Sequence, residues 1–199
     1  MHINELLMHH RAAVRASVAV VSRVRPGDLD RPTPCAEWTL ADLLAHMTAQ
    51  HRGFAAAARG RSGDGAAWQV RPSSNPVADC TAAAEDVLAA FAEPGVPERE
   101  FELPEFHPVS RFPAAQAIGF HLIDYVVHGW DVARSLGLDH HLAPELAGPA
   151  LRIALAVPDD DTRLAPGAAF RPALAADEDS APLHRILAAL GRSPKWPER

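Results

Sequence analysis

Apolar residues recur at helical intervals along most of the chain. From Ile3 to Val24, the residues Leu6, Leu7, Val14, Val18 and Val21 share a helix face, and Pro26-Gly27 stops the pattern. Residues 28–38 form a loop in which Pro32 and Pro34 impose an extended path. A second helix follows, with Thr39 as N-cap and Asp42 three residues on to complete a capping box. Its apolar face is Leu40, Leu43, Leu44, Met47 and Phe54, and the glycine-rich stretch Arg59 to Gly65 ends it. Asn75-Pro76 opens a third helix running to about Phe91. Glu93 to Pro108 then reads as a crossing loop, with a short extended piece around Phe101 to Leu103. Pro113 opens the fourth and most apolar helix, which Gly137 closes as a C′ residue. A fifth helix starts at Leu142-Ala143-Pro144-Glu145 and stops at Pro158; a short last one starts at Ala181-Pro182 and stops at Gly191.

No period-2 run lasts more than a few residues, so strands have little support. The pattern predicts an all-α four-helix bundle with extra C-terminal helices. We expect a single domain over residues 1–199, with the core bundle at about 3–157 and a C-terminal extension at about 158–199.

Composition narrows the function classes. The 199 residues carry a net charge of -6 with no Lys/Arg run, which argues against nucleic acid as a partner. Two cysteines, Cys35 and Cys80, cannot make a disulfide framework or a Cys-rich zinc site. No apolar stretch is long enough for a membrane span, and the N-terminal residues lack a basic segment followed by an apolar run. A cytoplasmic protein is the expectation. Histidine is the unusual entry, 11 against a single Tyr and a single Lys, so His and carboxylate ligation is the most available metal chemistry.

The fourth helix concentrates that chemistry. His121, Asp124, His128 and Asp131 step by 3, 4 and 3 residues and so form one stripe on an otherwise apolar helix. A buried stripe needs polar partners, and two His with a carboxylate suit a divalent metal. The alternative is a solvent face on which Asp124 and His128 form an ordinary i,i+4 pair. Helix two bears on this choice. His46 lies among Leu43, Leu44 and Met47, where a histidine is either a hydrogen-bonded core residue or a ligand facing the Asp124-x3-His128 pair. Three protein ligands from two helices leave positions open for water or substrate, as catalytic zinc sites do.

The segment Thr33-Pro34-Cys35-Ala36-Glu37-Trp38-Thr39 through Asp42-Leu43 and His46 resembles a signature of actinobacterial DinB-like proteins. These are related to the N-terminal domain of mycothiol-dependent maleylpyruvate isomerase. Asp124-x3-His128-Gly129-Trp130-Asp131 is similar to that group's second signature, and Ala181-Pro182-Leu183 through Gly191-Arg192-Ser193-Pro194 resembles the tail of its single-domain members. The resemblance implies a DinB/YfiT-like four-helix bundle with a divalent metal on His46, Asp124 and His128. Asp124 stands where the isomerase has Glu, and the chain is expected to lack the isomerase's additional C-terminal domain. The resemblance therefore implies the metal site rather than that particular isomerisation.

The expected function is a metal-dependent enzyme acting on a small molecule. Zinc is the favoured metal, with nickel or iron alternatives. A low-molecular-weight thiol, mycothiol by resemblance, would be activated for S-transfer or isomerisation of an electrophile; water activation for hydrolysis is a lesser option. The competing class is a non-enzymatic bundle whose polar residues form a structural metal site or a buried network. A homodimer is a further expectation. His121 is read as a neighbour of the ligands or a substrate contact rather than a ligand. Asp131 is read as the acceptor for the second ring nitrogen of His128, or as a partner of Arg134. Trp38 and Trp130 read as packing anchors, and Cys35 as inert packing or as a thiol of lowered pKa. His2, His9, His10, His51, His107, His140, His141 and His184 sit near element ends or on expected surfaces and receive no role, and 159–161 reads as a solvated turn.

Overall fold

Thr39 accepts a hydrogen bond from the backbone N–H of Asp42, and the Asp42 carboxylate accepts one from the backbone N–H of Thr39. Helix α2 (Leu40–Ala58) therefore begins at the predicted box. The computed structural model describes residues 1–35, 37–61, 65–104, 110–165 and 168–198, so His107 lies outside the described residues. Within them, α1 (Ile3–Val21), α2, α3 (Pro76–Phe91) and α4 (Ala114–Ser135) form the bundle. Helix α1 packs chiefly on α4, and α2 on α3. Helix α1 ends at Val21 rather than Val24, because the chain must leave helical geometry before Pro26. Gly137, at φ 71°, closes α4, and the Leu138 N–H reaches back to the Ala133 carbonyl.

The extended piece predicted near Phe101 is strand β1 (Glu100–Glu102), paired antiparallel with β2 (Arg111–Pro113) so that Phe101 faces Phe112. This ribbon leads directly into α4. Helices α5 (Pro144–Ala156) and α6 (Pro182–Ala189) pack on each other beside the bundle. The tail between and after them is clasped by buried Arg163. Its guanidinium donates to the carbonyls of Val157, Pro158, Arg171 and Ala189. A second clasp runs from Arg134 to the Trp196 carbonyl.

Two apolar clusters fill the interior. One of them holds Leu43, Leu44, Met47, Tyr125 and Val132, all essentially without solvent exposure. Each such aliphatic side chain contributes roughly 1.5–3 kcal/mol by burial. These residues are chain neighbours of His46, Asp124 and His128, so the packing that fixes α2 and α4 also fixes where those polar groups point. No described helix is long and apolar enough to cross a membrane.

Candidate functional site

Helices α2 and α4 bring His46, Asp124 and His128 together. Their ligand atoms all lie within 4.8 Å of one another. The rings of His46 and His128 meet edge-on at 5.3 Å, and His128 Nε2 lies 3.3 Å from an Asp124 oxygen. The His128 side chain is 6% exposed and that of Asp124 23%, so the group sits at the margin of the core with an open side. Trp38 stands on that side. It is 37% exposed, its ring lies 4.8 Å from that of His46, and it follows Glu37, which adopts φ 71°. The expectation of a packing anchor holds for Trp130, which is 4% exposed, but not for Trp38, which a tight loop presents outward. Thr33 builds that loop. Its hydroxyl bridges the Cys35 and Trp38 carbonyls and accepts from the Cys35 N–H.

The second nitrogen of His128 is engaged as well. Nδ1 donates to Asp131 Oδ2 at 2.9 Å. Asp131 is fully buried and also faces Arg192, whose Nε lies 3.3 Å from Oδ1 and whose Nη2 lies 3.4 Å from Oδ2. The Cys35 thiol completes the group, 3.2 Å from both Asp131 Oδ2 and Arg192 Nη2. Arg134, the alternative partner for Asp131, bonds to Trp196 instead. Cys35, His128 and Asp131 also have the spacing of a three-ligand metal group. A guanidinium within bonding distance of two of them places a cation there already, so we read that group as a hydrogen-bonded network.

Charge separates the roles. Burial, and after it the neighbouring His128, lowers His46 to about 4, which leaves a neutral imidazole with a free lone pair. Burial opposes charge on His128 too, but Asp124 and Asp131 outweigh it and hold the ring protonated well above the usual imidazole range. Asp124 is likewise disfavoured by burial, and His128 still draws its carboxyl below the ordinary value. Two imidazoles and one carboxylate on two helices, one imidazole neutral and the other oriented by a carboxylate, fit a borderline divalent cation that displaces the proton His128 Nε2 shares with Asp124.

His121 lies elsewhere. Its Nδ1 meets His10 Nε2 at 2.8 Å and its Nε2 meets His51 Nδ1 at 3.2 Å, which leaves neither nitrogen for Asp124 or His128. Both its neighbours were expected at element ends or on the surface, and both are buried: His10 is 1% exposed and His51 0%, with His9 at 5%. The reason is helical phase. His10 follows Leu6 and precedes Val14 by four residues each, and His51 follows Met47 by four, so both lie on the apolar faces. The His121 and His51 rings both stack on Tyr125, whose hydroxyl donates to the Met47 carbonyl. His2, His141 and His184 are exposed, and His140 is partly buried. Asp160 caps a 3-10 turn at Asp161–Leu164.

Arg192 escaped sequence reasoning, because it lies in the tail 61 residues from Asp131 and no local spacing announces it. Cys35 is buried in the core and joins the network behind His128.

Comparison with known proteins gives a consistent result. The family model described as mycothiol maleylpyruvate isomerase N-terminal domain matches residues 10–133. Two uncharacterised proteins from two strains of Mycobacterium tuberculosis are each 33% identical over 190 residues, covering 94% of this chain and 97% of theirs. A crystal structure of the mycothiol-dependent maleylpyruvate isomerase superposes with a TM-score of 0.67 at 14% identity, over 98% of this chain and 91% of that one. A histidine-to-alanine mutant of the isomerase gives 0.69 at 13% identity, over 95% and 89%. At these identities the likeness shows the fold.

Proposed function

The chain belongs to the mycothiol maleylpyruvate isomerase N-terminal domain family, and on that premise we propose that it is a divalent-metal-dependent enzyme. It activates a low-molecular-weight thiol of the mycothiol type for S-transfer to, or isomerisation of, a small electrophile. The observation that carries this reading is the convergence of His46, Asp124 and His128 at a partly exposed margin of the bundle. These three residues would hold the cation, zinc being our assignment with nickel or iron as alternatives. A cation there supplies Lewis acidity, lowering the pKa of a coordinated thiol so that thiolate is available near neutral pH.

The chain's own residues do the rest. His46 presents a neutral nitrogen, and its ring packs against that of the partly exposed Trp38. Asp124 brings the negative charge that a cation requires. Asp131 holds the Nδ1 proton of His128, so the opposite nitrogen faces Asp124. Behind them Leu43, Leu44, Met47 and Tyr125 exclude water from the inner side. Trp38 and Asp124 are the exposed edge of the group, at 37% and 23% exposure.

Incubation with mycothiol and a panel of electrophiles, maleylpyruvate first, tests this reading. We expect thiol-dependent turnover of at least one electrophile, falling by at least about a hundredfold in a folded Asp124→Ala variant. Turnover that survives Asp124→Ala unaltered contradicts it.

A further inference from the structure

The chain after α6 returns to the bundle and buries one charged residue in it. Gly191 adopts φ 73° and presses against Arg171, where a Cβ would lie 2.5 Å from the Arg171 carbonyl oxygen. That turn sends Arg192 inward to 7% exposure. Its guanidinium meets Asp131 as a two-pronged fork, Nε to Oδ1 at 3.3 Å and Nη2 to Oδ2 at 3.4 Å, with Cys35 Sγ 3.2 Å from Nη2. Two buried charges are costly even when paired, and an apolar pair of the same volume often packs as well. The tail does not need this contact for anchorage, because Arg163 and Arg134 already clasp it at backbone carbonyls away from the site.

We propose that Arg192 is a positioning residue of the metal centre, acting through Asp131 to fix the ring of His128. A carboxylate with a single partner can turn about its own axis. Held at both oxygens by the guanidinium fork, with the Cys35 thiol also on Oδ2, Asp131 cannot turn, and the Nδ1–H of His128 has one place to go. Nε2 is thereby aimed at Asp124 and His46. The C-terminal extension is then part of the site as well as its cover. This inference rests on the reading of His46, Asp124 and His128 as a metal site, and its test is built so that the two can fail separately.

The variants are Arg192→Met, Arg192→Lys, and Arg134→Met as a loss of tail anchorage that leaves Asp131 untouched. The first measurement is zinc affinity by competition with a chromogenic chelator. Arg192→Met should bind about tenfold to a hundredfold more weakly, as loss of an orienting partner does. Arg192→Lys should fall between it and the wild type, and Arg134→Met should match the wild type. A role through charge alone predicts the opposite, since removing a nearby cation tightens zinc. Equal or tighter binding in Arg192→Met overturns the proposal; if that variant does not fold, wild-type affinity in Arg192→Lys does so. The second measurement needs no metal. In 15N-histidine-labelled metal-free protein, the His128 Nδ1 proton should be protected from solvent exchange, and in Arg192→Met it should exchange at least about tenfold faster. Unchanged protection overturns the proposal even if the wild type binds zinc. Lost protection in a protein that takes up no zinc removes the metal reading and leaves the coupling of Arg192 to His128 standing.

Discussion

His128 and Asp131 lie one helical turn apart on α4 and share a hydrogen bond of 2.9 Å, so a single helix supplies both the ring and the group that orients it. The 3-residue step places Asp131 inside the core at 0% exposure, where its charge must be answered. Arg192 answers it.

Asp131→Asn should therefore destabilise the protein strongly. The substitution keeps shape and one acceptor but leaves the Arg192 guanidinium buried without a counter-charge. We expect a loss of about 3–5 kcal/mol in urea unfolding. A loss below about 1 kcal/mol, the level of an exposed ion pair, would contradict the buried pairing.

Acid should destabilise the fold through a different group. Burial, with a lesser contribution from Arg11, lowers His10 to about 3, and burial first, then the neighbouring imidazoles, keep His51 and His121 neutral well below their ordinary value. In the unfolded chain the same rings take up protons below about pH 6.5. Stability from these three is thus fully present above pH 6.5 and is lost as pH falls from there toward the folded-state values. Each contributes a slope of about 1.4 kcal/mol per pH unit in that window. Urea unfolding at pH 7.5, 6.0 and 5.0 checks this, and a stability flat between pH 7.5 and 5.0 would be incompatible with three buried neutral imidazoles.

Gly191 and Gly137 both adopt positive φ, 73° and 71°, but differ in surroundings. Gly137→Ala meets nothing within 4 Å and should cost only the backbone penalty of about 1–2 kcal/mol. Gly191→Ala adds a collision with the Arg171 backbone and should cost clearly more, with weaker zinc binding because Arg192 is displaced. Thermal unfolding of the two variants side by side is the measurement, and equal shifts would contradict the tight turn.

The helices, their caps and the polar stripe of α4 were legible because each is set by local spacing. Thr39 with Asp42, Asn75 with Pro76, and the 3-4-3 stripe of α4 all lie within single elements. The buried histidines of α1 and α2 were legible in principle, since the periodicity that buries Leu6, Val14 and Met47 also buries His10 and His51. Arg192 was not legible, because its place follows from how a tail of irregular structure returns across the bundle to residues 61 and 157 positions away.

Trp38 offers an optical reading of the entrance. Its ring lies 4.8 Å from that of His46, so cobalt bound beside His46 should quench its emission. Trp38→Phe should remove most of the cobalt-dependent quenching while leaving the fold intact. Quenching of equal depth in the variant would place the cation away from this wall.

The central claim is that His46, Asp124 and His128 hold a divalent cation, and metal analysis tests it most directly. The protein is expressed without a polyhistidine tag in metal-replete medium, dialysed, and analysed by plasma mass spectrometry alongside His46→Ala. The account predicts about one equivalent of a divalent metal per wild-type chain and a large loss in the folded variant. No stoichiometric metal in the wild type, or an equal content in His46→Ala, would contradict it.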